Sequence, residues 1–111
     1  MRYEFDRPTN IVLYKDDNVP ALGTQLNFLF RNTPVDYTAL TPTLRIGKGT
    51  VVITVTGTAS GSATEATLSF TIPASLKASL PVGSYPYQVR IANATHASVI
   101  ASGTVFIRPT L

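Results

Sequence analysis

Short segments in which apolar and polar side chains alternate recur along almost the whole chain. The clearest runs from residue 65 to residue 72, EATLSFTI, where every second side chain is apolar. Because successive side chains of a β-strand point to opposite faces, such a segment has one face buried and one face in water. An α-helix would instead need apolar residues three or four positions apart. The alternation therefore predicts a protein built from half-buried strands.

Clusters of turn-forming residues separate these segments. The segments cover residues 10–14, 24–31, 43–46, 51–56, 65–72, 85–91 and 98–107. Turn signals recur about every 8 to 12 residues, which is typical of β-sandwiches. We expect residues 57–62, GTASGS, to form a flexible loop. Residues 73–80 are expected to form one short helical turn, because Pro73 suits its start and Leu76 and Leu80 are spaced to stack.

Residues 80–93, LPVGSYPYQVRIAN, indicate which kind of sandwich this is. In immunoglobulin-like sandwiches a Tyr near the start of one strand sends its hydroxyl back to upstream backbone and locks the corner before that strand. Tyr85 stands at this place, and Gly83 supplies the conformational freedom that a tight corner needs. We therefore predict an all-β, immunoglobulin-like β-sandwich of about seven strands, with Gly83 and Tyr85 as its structural corner.

The length of the chain fits one domain with a short extension. A chain of 111 residues can bury roughly two-thirds of its unfolded surface, so it needs no disulfide bond to stabilise the fold. It also has no Cys with which to form one. Tyr3 and Phe5 have no obvious place in a seven-strand core. We expect residues 1–9 to form an N-terminal arm, which could pair with a sheet edge of its own chain or a neighbour's, and residues 10–111 to form the sandwich.

Charge and hydropathy exclude two classes of partner. The formal net charge is +3, and no two of the nine Lys and Arg residues are adjacent. Nucleic-acid binding normally needs a stripe or cluster of basic groups, so we expect no nucleic-acid partner. The apolar runs are far shorter than the roughly 20 residues that span a bilayer, and no secretion signal is visible, so we expect no membrane contact.

Reactive residues are few and scattered. The only His, His96, falls in a predicted turn, and Asp16-Asp17 is the only adjacent acidic pair. A solvated surface role fits both better than a catalytic base, a ligand or a calcium site, because convergent partners are missing. The sequence leaves open a pair of carboxylates for sugar hydrolysis but singles out none. We expect no catalytic residue, no cofactor and no metal, and therefore no enzyme.

Three apolar residues stand where their strands should face water: Leu29, Val52 and Phe106. Such a residue is either half covered by a loop or in contact with another chain, since exposed apolar patches on small domains tend to mark interfaces. Both interpretations remain open. Together with Tyr3 and Phe5 of the arm, these residues are the candidate interface.

Two stretches resemble a known family. The first stretch is residues 32–49, NTPVDYTALTPTLRIGKG. The second is residues 80–93 followed by residues 101–109, ASGTVFIRP. Both are similar to motifs of immunoglobulin-like domains in tailed-bacteriophage virion proteins. The nearest group is the N-terminal domain of baseplate upper proteins, with related tail-fibre, collar and head-decoration domains. The resemblance covers residues 10–109. Ala39 stands where that pattern usually has Gly, and the sequence stops at Leu111, where baseplate upper proteins continue into a stem.

The resemblance implies a phage virion structural protein that acts by protein–protein contact. The ending at Leu111 favours a capsid decoration or cement protein, or a small tail accessory protein. The alternative that it leaves open is a carbohydrate- or receptor-binding module of a tail tip or baseplate. The implied partners are major capsid or tail and baseplate proteins and further copies of the chain, with a trimer as one form. The implied location is the virion, assembled in the host cytoplasm.

Overall fold

The computed structural model of the chain describes residues 2–5, 10–14, 24–73, 79–93 and 97–109, with backbone alone for 2–5 and 24. Nine strands lie in these residues, together with one 3₁₀ helix at Tyr37–Ala39. The strands are β1 Arg2–Phe5, β2 Ile11–Tyr14, β3 Thr24–Arg31, β4 Thr41–Lys48, β5 Val51–Thr56, β6 Thr58–Gly61, β7 Glu65–Ile72, β8 Gly83–Ala92 and β9 Ala97–Arg108.

The strands form two sheets. One has four strands in the order β1-β3-β7-β6, and the other has five in the order β2-β9-β8-β4-β5. The inner faces of both sheets supply a single buried core. The prediction of an all-β sandwich is therefore confirmed.

The alternating segments bury the predicted faces. On β7 the buried residues are Ala66, Leu68, Phe70 and Ile72. Phe28 of β3 lies at the centre of the core, with its ring 5.9 Å from that of Phe70 and 6.2 Å from that of Tyr87 on the opposite sheet. The edge-on approach to Phe70 suits the quadrupoles of both rings.

The described residues contain nine strands, two more than the seven that the sequence predicts. The expected loop at residues 57–62 was wrong, because Thr58–Gly61 forms β6 and pairs antiparallel with β7. This strand is short and largely exposed, with only Ala59 packed against the core, so its sequence carries no alternating apolar signal. Its partner strand decides its structure, which a local pattern does not reveal.

The other additional strand comes from the N-terminal arm. β1 runs parallel to β3, with Tyr3 opposite Leu26 and Phe5 opposite Phe28. The sequence left open whether the arm pairs with a sheet edge of its own chain or of a neighbour. The structure shows it paired with its own chain. β2 likewise runs parallel to the last strand, β9.

Some predictions fall outside the described residues. Most of the predicted helical turn at 73–80 does, because residues 74–78 are not described, although Leu80 is buried. His96, Asp16 and Asp17 also lie outside them.

Candidate functional site

The corner before β8 is held by one side chain. Tyr85 is buried, and its hydroxyl donates to the carbonyl oxygen of Pro81 at 2.8 Å. Gly83 has φ +153, a conformation that L-residues rarely adopt. Both residues thus fix the path of the chain at this corner.

Tyr85→Phe tests the hydrogen bond alone. We expect the free energy of unfolding to fall by about 1 kcal/mol, since the ring stays in place and one neutral hydrogen bond is lost. Urea denaturation measures the change, and Tyr14→Phe on the edge strand β2 is the control. An equal effect of both substitutions would contradict a special role for the corner.

Residues 32–49, the first stretch that resembles the phage domains, also contain a turn that their own side chains stabilise. Asp36 caps the 3₁₀ helix, because its Oδ1 accepts from the backbone N–H of Thr38 at 2.9 Å and also from the Thr38 hydroxyl. An Asp side chain that bonds backbone two residues ahead stabilises a turn of this kind. Tyr37 is thereby held in the core, with its ring 5.8 Å from that of Phe30.

A pocket of about 380 Å³ lies between this capped turn and the strands β8 and β9. It is lined mainly by apolar groups, with polar contributions from Asp36, Asn93 and Ser98. Val35 at its wall is 54% exposed. Within the described part of the lining, Asp36 is the one charged residue, and it already caps the helix. The pocket can hold an apolar group, and its described lining residues include no acid–base pair. Sequence patterns gave no indication of it, because it arises where distant segments meet.

The outer face of the five-stranded sheet carries Phe106. This ring is half-buried, lies opposite Val12 on β2 and has the guanidinium carbon of Arg108 5.8 Å from its centroid. Val12 is itself 37% exposed. These residues form an exposed apolar cluster beside a cation. Val52 is also half-buried, but it lies on β5, with β8 and β4 between it and β9.

The outer face of the four-stranded sheet carries Leu29, which is half-buried and lies opposite Thr67. Its neighbour Asn27, on the same face, is only 4% exposed, and neither atom of its side-chain amide has a hydrogen-bond partner among the side chains that the structure describes. The alternating pattern places Asn27 on the solvated side and does not predict this burial.

The five candidate interface residues do not form one patch. Leu29 lies on one outer face, whereas Val52 and Phe106 lie on the other and are three strands apart, about 14 Å. Tyr3 and Phe5 lie on β1, whose side chains are not described.

The described residues hold no group of three or more His, Cys, Asp and Glu side chains that could bind a metal ion. In the same part of the chain, no helix is long and apolar enough to cross a membrane. An ion pair between Arg31 and Glu65, at 3.9 Å, is exposed on both sides. Such pairs stabilise a fold little.

A solved phage protein domain has the same fold. It is the N-terminal domain of phage TP901-1 ORF48, with a TM-score of 0.52 and 12% sequence identity, over 96% of this chain and 94% of that chain. At this identity the likeness shows a shared fold. The sequence matches no protein-family model and no curated protein.

Proposed function

We propose that the chain is a structural protein of a phage virion, placed in the tail or baseplate, and that it acts by protein–protein contact. The observation that supports this most is the fold shared with the N-terminal domain of a phage protein over nearly the whole length of both chains. The sequence motifs at residues 32–49, 80–93 and 101–109 resemble domains of phage virion proteins independently of that comparison. The Tyr85 corner and the order of strands in the two sheets support the immunoglobulin-like class.

The side chains of the described residues suit a scaffold better than an enzyme. The inward residues fill the core, and the outward apolar groups lie on two different faces, with Phe106 and Val12 on one sheet and Leu29 on the other. Apolar groups at such positions contribute by being buried against a partner. With a net charge of +3, the chain would dock most readily on acidic partner surfaces, an attraction that salt weakens. We propose no catalytic activity.

The pocket favours one alternative, a carbohydrate- or receptor-binding module. Asp36, Asn93 and Ser98 could donate and accept hydrogen bonds at its wall. Its mainly apolar lining suits an apolar side chain of a protein better than a sugar, because three polar residues would replace only part of the water that the many sugar hydroxyls lose. The structural role is therefore preferred.

The number of copies in the particle tests the proposal. We expect the protein to co-purify with particles of the phage that encodes it and to be counted by quantitative mass spectrometry at tens of copies or fewer, as for a tail or baseplate part. Hundreds of copies would indicate a capsid decoration protein. Absence from purified particles would contradict a virion role altogether.

A further inference from the structure

We infer that β5 is a self-association edge, at which two copies of this chain pair antiparallel and join their five-stranded sheets into one. This deepens the proposed function by naming a partner, a second copy, and it rests on that function only for its role in a particle. The self-association itself is a property of the isolated chain.

β5 is an unprotected edge. It is the last strand of its sheet and, among the described residues, pairs with β4 alone. Its six residues, VVITVT, are all β-branched and uncharged, and contain no Pro. Edge strands normally avoid pairing with other chains through charged residues, Pro, bulges or shortness. β5 shows none of these features.

The other edges of the described sheets are better protected. β1 has four residues, two of them charged, namely Arg2 and Glu4. β2 and β6 also have only four residues each, and β6 ends at Gly61. β5 therefore stands apart in length and in chemistry.

The inward side chains of β5 are buried, but slightly less completely than those of β4. Ile53 is 7% exposed and Val55 is 8% exposed, whereas their cross-strand partners on β4, Ile46 and Leu44, are 0% exposed. The inward side chains of β5 thus lie at the rim of the core, on the last strand of the sheet. A strand added at this edge would cover them with equivalent residues.

A second copy fits the edge because β5 complements itself. A two-fold axis perpendicular to the sheet keeps each face of the joined sheet continuous, so inward side chains of one copy lie beside inward side chains of the other. Thr54 then lies directly opposite, or diagonally across from, Thr54 of the second copy. In either case the two Cβ atoms are about 4.5–8 Å apart. Copies that each carry +3 approach here without placing like charges together, since β5 has none.

The contact is small. The six residues of β5 span about 20 Å, and the edge of the two-sheet sandwich is about as deep. Each copy would therefore bury a surface on the order of 400 Å². Stable complexes bury about 1,200–2,000 Å² in total. We therefore expect weak, concentration-dependent dimers in solution, which a particle that holds many copies close together would reinforce.

The test is a dilution series of the isolated chain, followed by sedimentation equilibrium and by amide NMR spectra. We expect the mean mass to rise toward that of a dimer with concentration, and the shifting amides to be those of residues 51–56. Thr54→Lys should abolish the rise, because it sets two Lys residues together. Thr71→Lys, on the exposed outer face of the other sheet, is the matched control and should leave the rise unchanged.

A mixture of two variants with opposite charges tests the pairing at Thr54 most specifically. An equimolar mixture of Thr54→Lys and Thr54→Glu chains should regain association, because opposite charges then meet at the two-fold axis. A monomer at every concentration, equal effects of Thr54→Lys and Thr71→Lys, or shifts confined to other residues would overturn the inference. None of these results bears on whether the protein occurs in virions, so this test and the copy-number test fail separately.

Discussion

Phe28→Ala is expected to lower the free energy of unfolding by about 3–5 kcal/mol, enough to remove a large share of the stability of a small domain. Phe28 is fully buried and packs against Phe70 on its own sheet and Tyr87 on the facing one. Deleting its ring opens a cavity at the point where the two sheets meet. Tightly packed strands on both sides limit the collapse that would fill this cavity.

Chemical denaturation of the purified variant measures this loss, with Phe28→Leu as the control. Leu keeps most of the apolar volume, so we expect it to cost less than about 1.5 kcal/mol. A loss below 1 kcal/mol for Phe28→Ala would show that this residue does not lie at the centre of the core.

Gly47→Ala is expected to cost about 2–6 kcal/mol, the sum of backbone strain and overpacking. Gly47 has φ +135, which L-residues rarely adopt. A Cβ atom there would lie 2.0 Å from the carbonyl oxygen of Val51 and 2.6 Å from the Cα of Val52. These are backbone atoms of the neighbouring strand, so β4 and β5 would have to separate.

Gly49, in the same hairpin, is the matched control. It also has a positive φ, +60, but a Cβ there would meet nothing within 4 Å. Gly49→Ala should therefore cost only the left-handed backbone, about 1–2 kcal/mol. If both substitutions cost the same in thermal or urea unfolding, close contact at Gly47 is not what the hairpin requires.

The sequence predicts the inward faces well because burial and alternation have the same physical cause. Leu68 and Phe70 on β7, and Val89 and Ile91 on β8, are buried as their spacing indicates. Leu68, Phe70 and Val89 each lie between two polar side chains, so one face alone can form the core.

The strands that the sequence misses lack that signal. β6 has only Ala59 packed against the core, and β1 becomes a strand through its pairing with β3. In both cases pairing with another strand, and not an alternating pattern of their own, makes the segment a strand. The pocket beside Asp36 is likewise invisible to a local pattern, since residues within 34–40, 91–93 and 98–100 line it together.

The candidate surfaces were predicted only in part. The alternation does locate Leu29, Val52 and Phe106 outside the core, and all three are half-buried on outer faces. It does not show that Phe106 adjoins Val12, because that contact depends on the pairing of β2 with β9. Nor does it show that β5 ends its sheet, which is a property of the whole topology.

Imaging the particle tests the proposed role most directly. Electron cryo-microscopy of virions should show the two-sheet domain as repeated density in the tail or baseplate, in contact with neighbouring protein on its outer faces or edges. Density for the domain on the capsid surface would correct the location. Virions that contain no such density anywhere, from a phage that expresses the protein, would contradict a structural role in the particle.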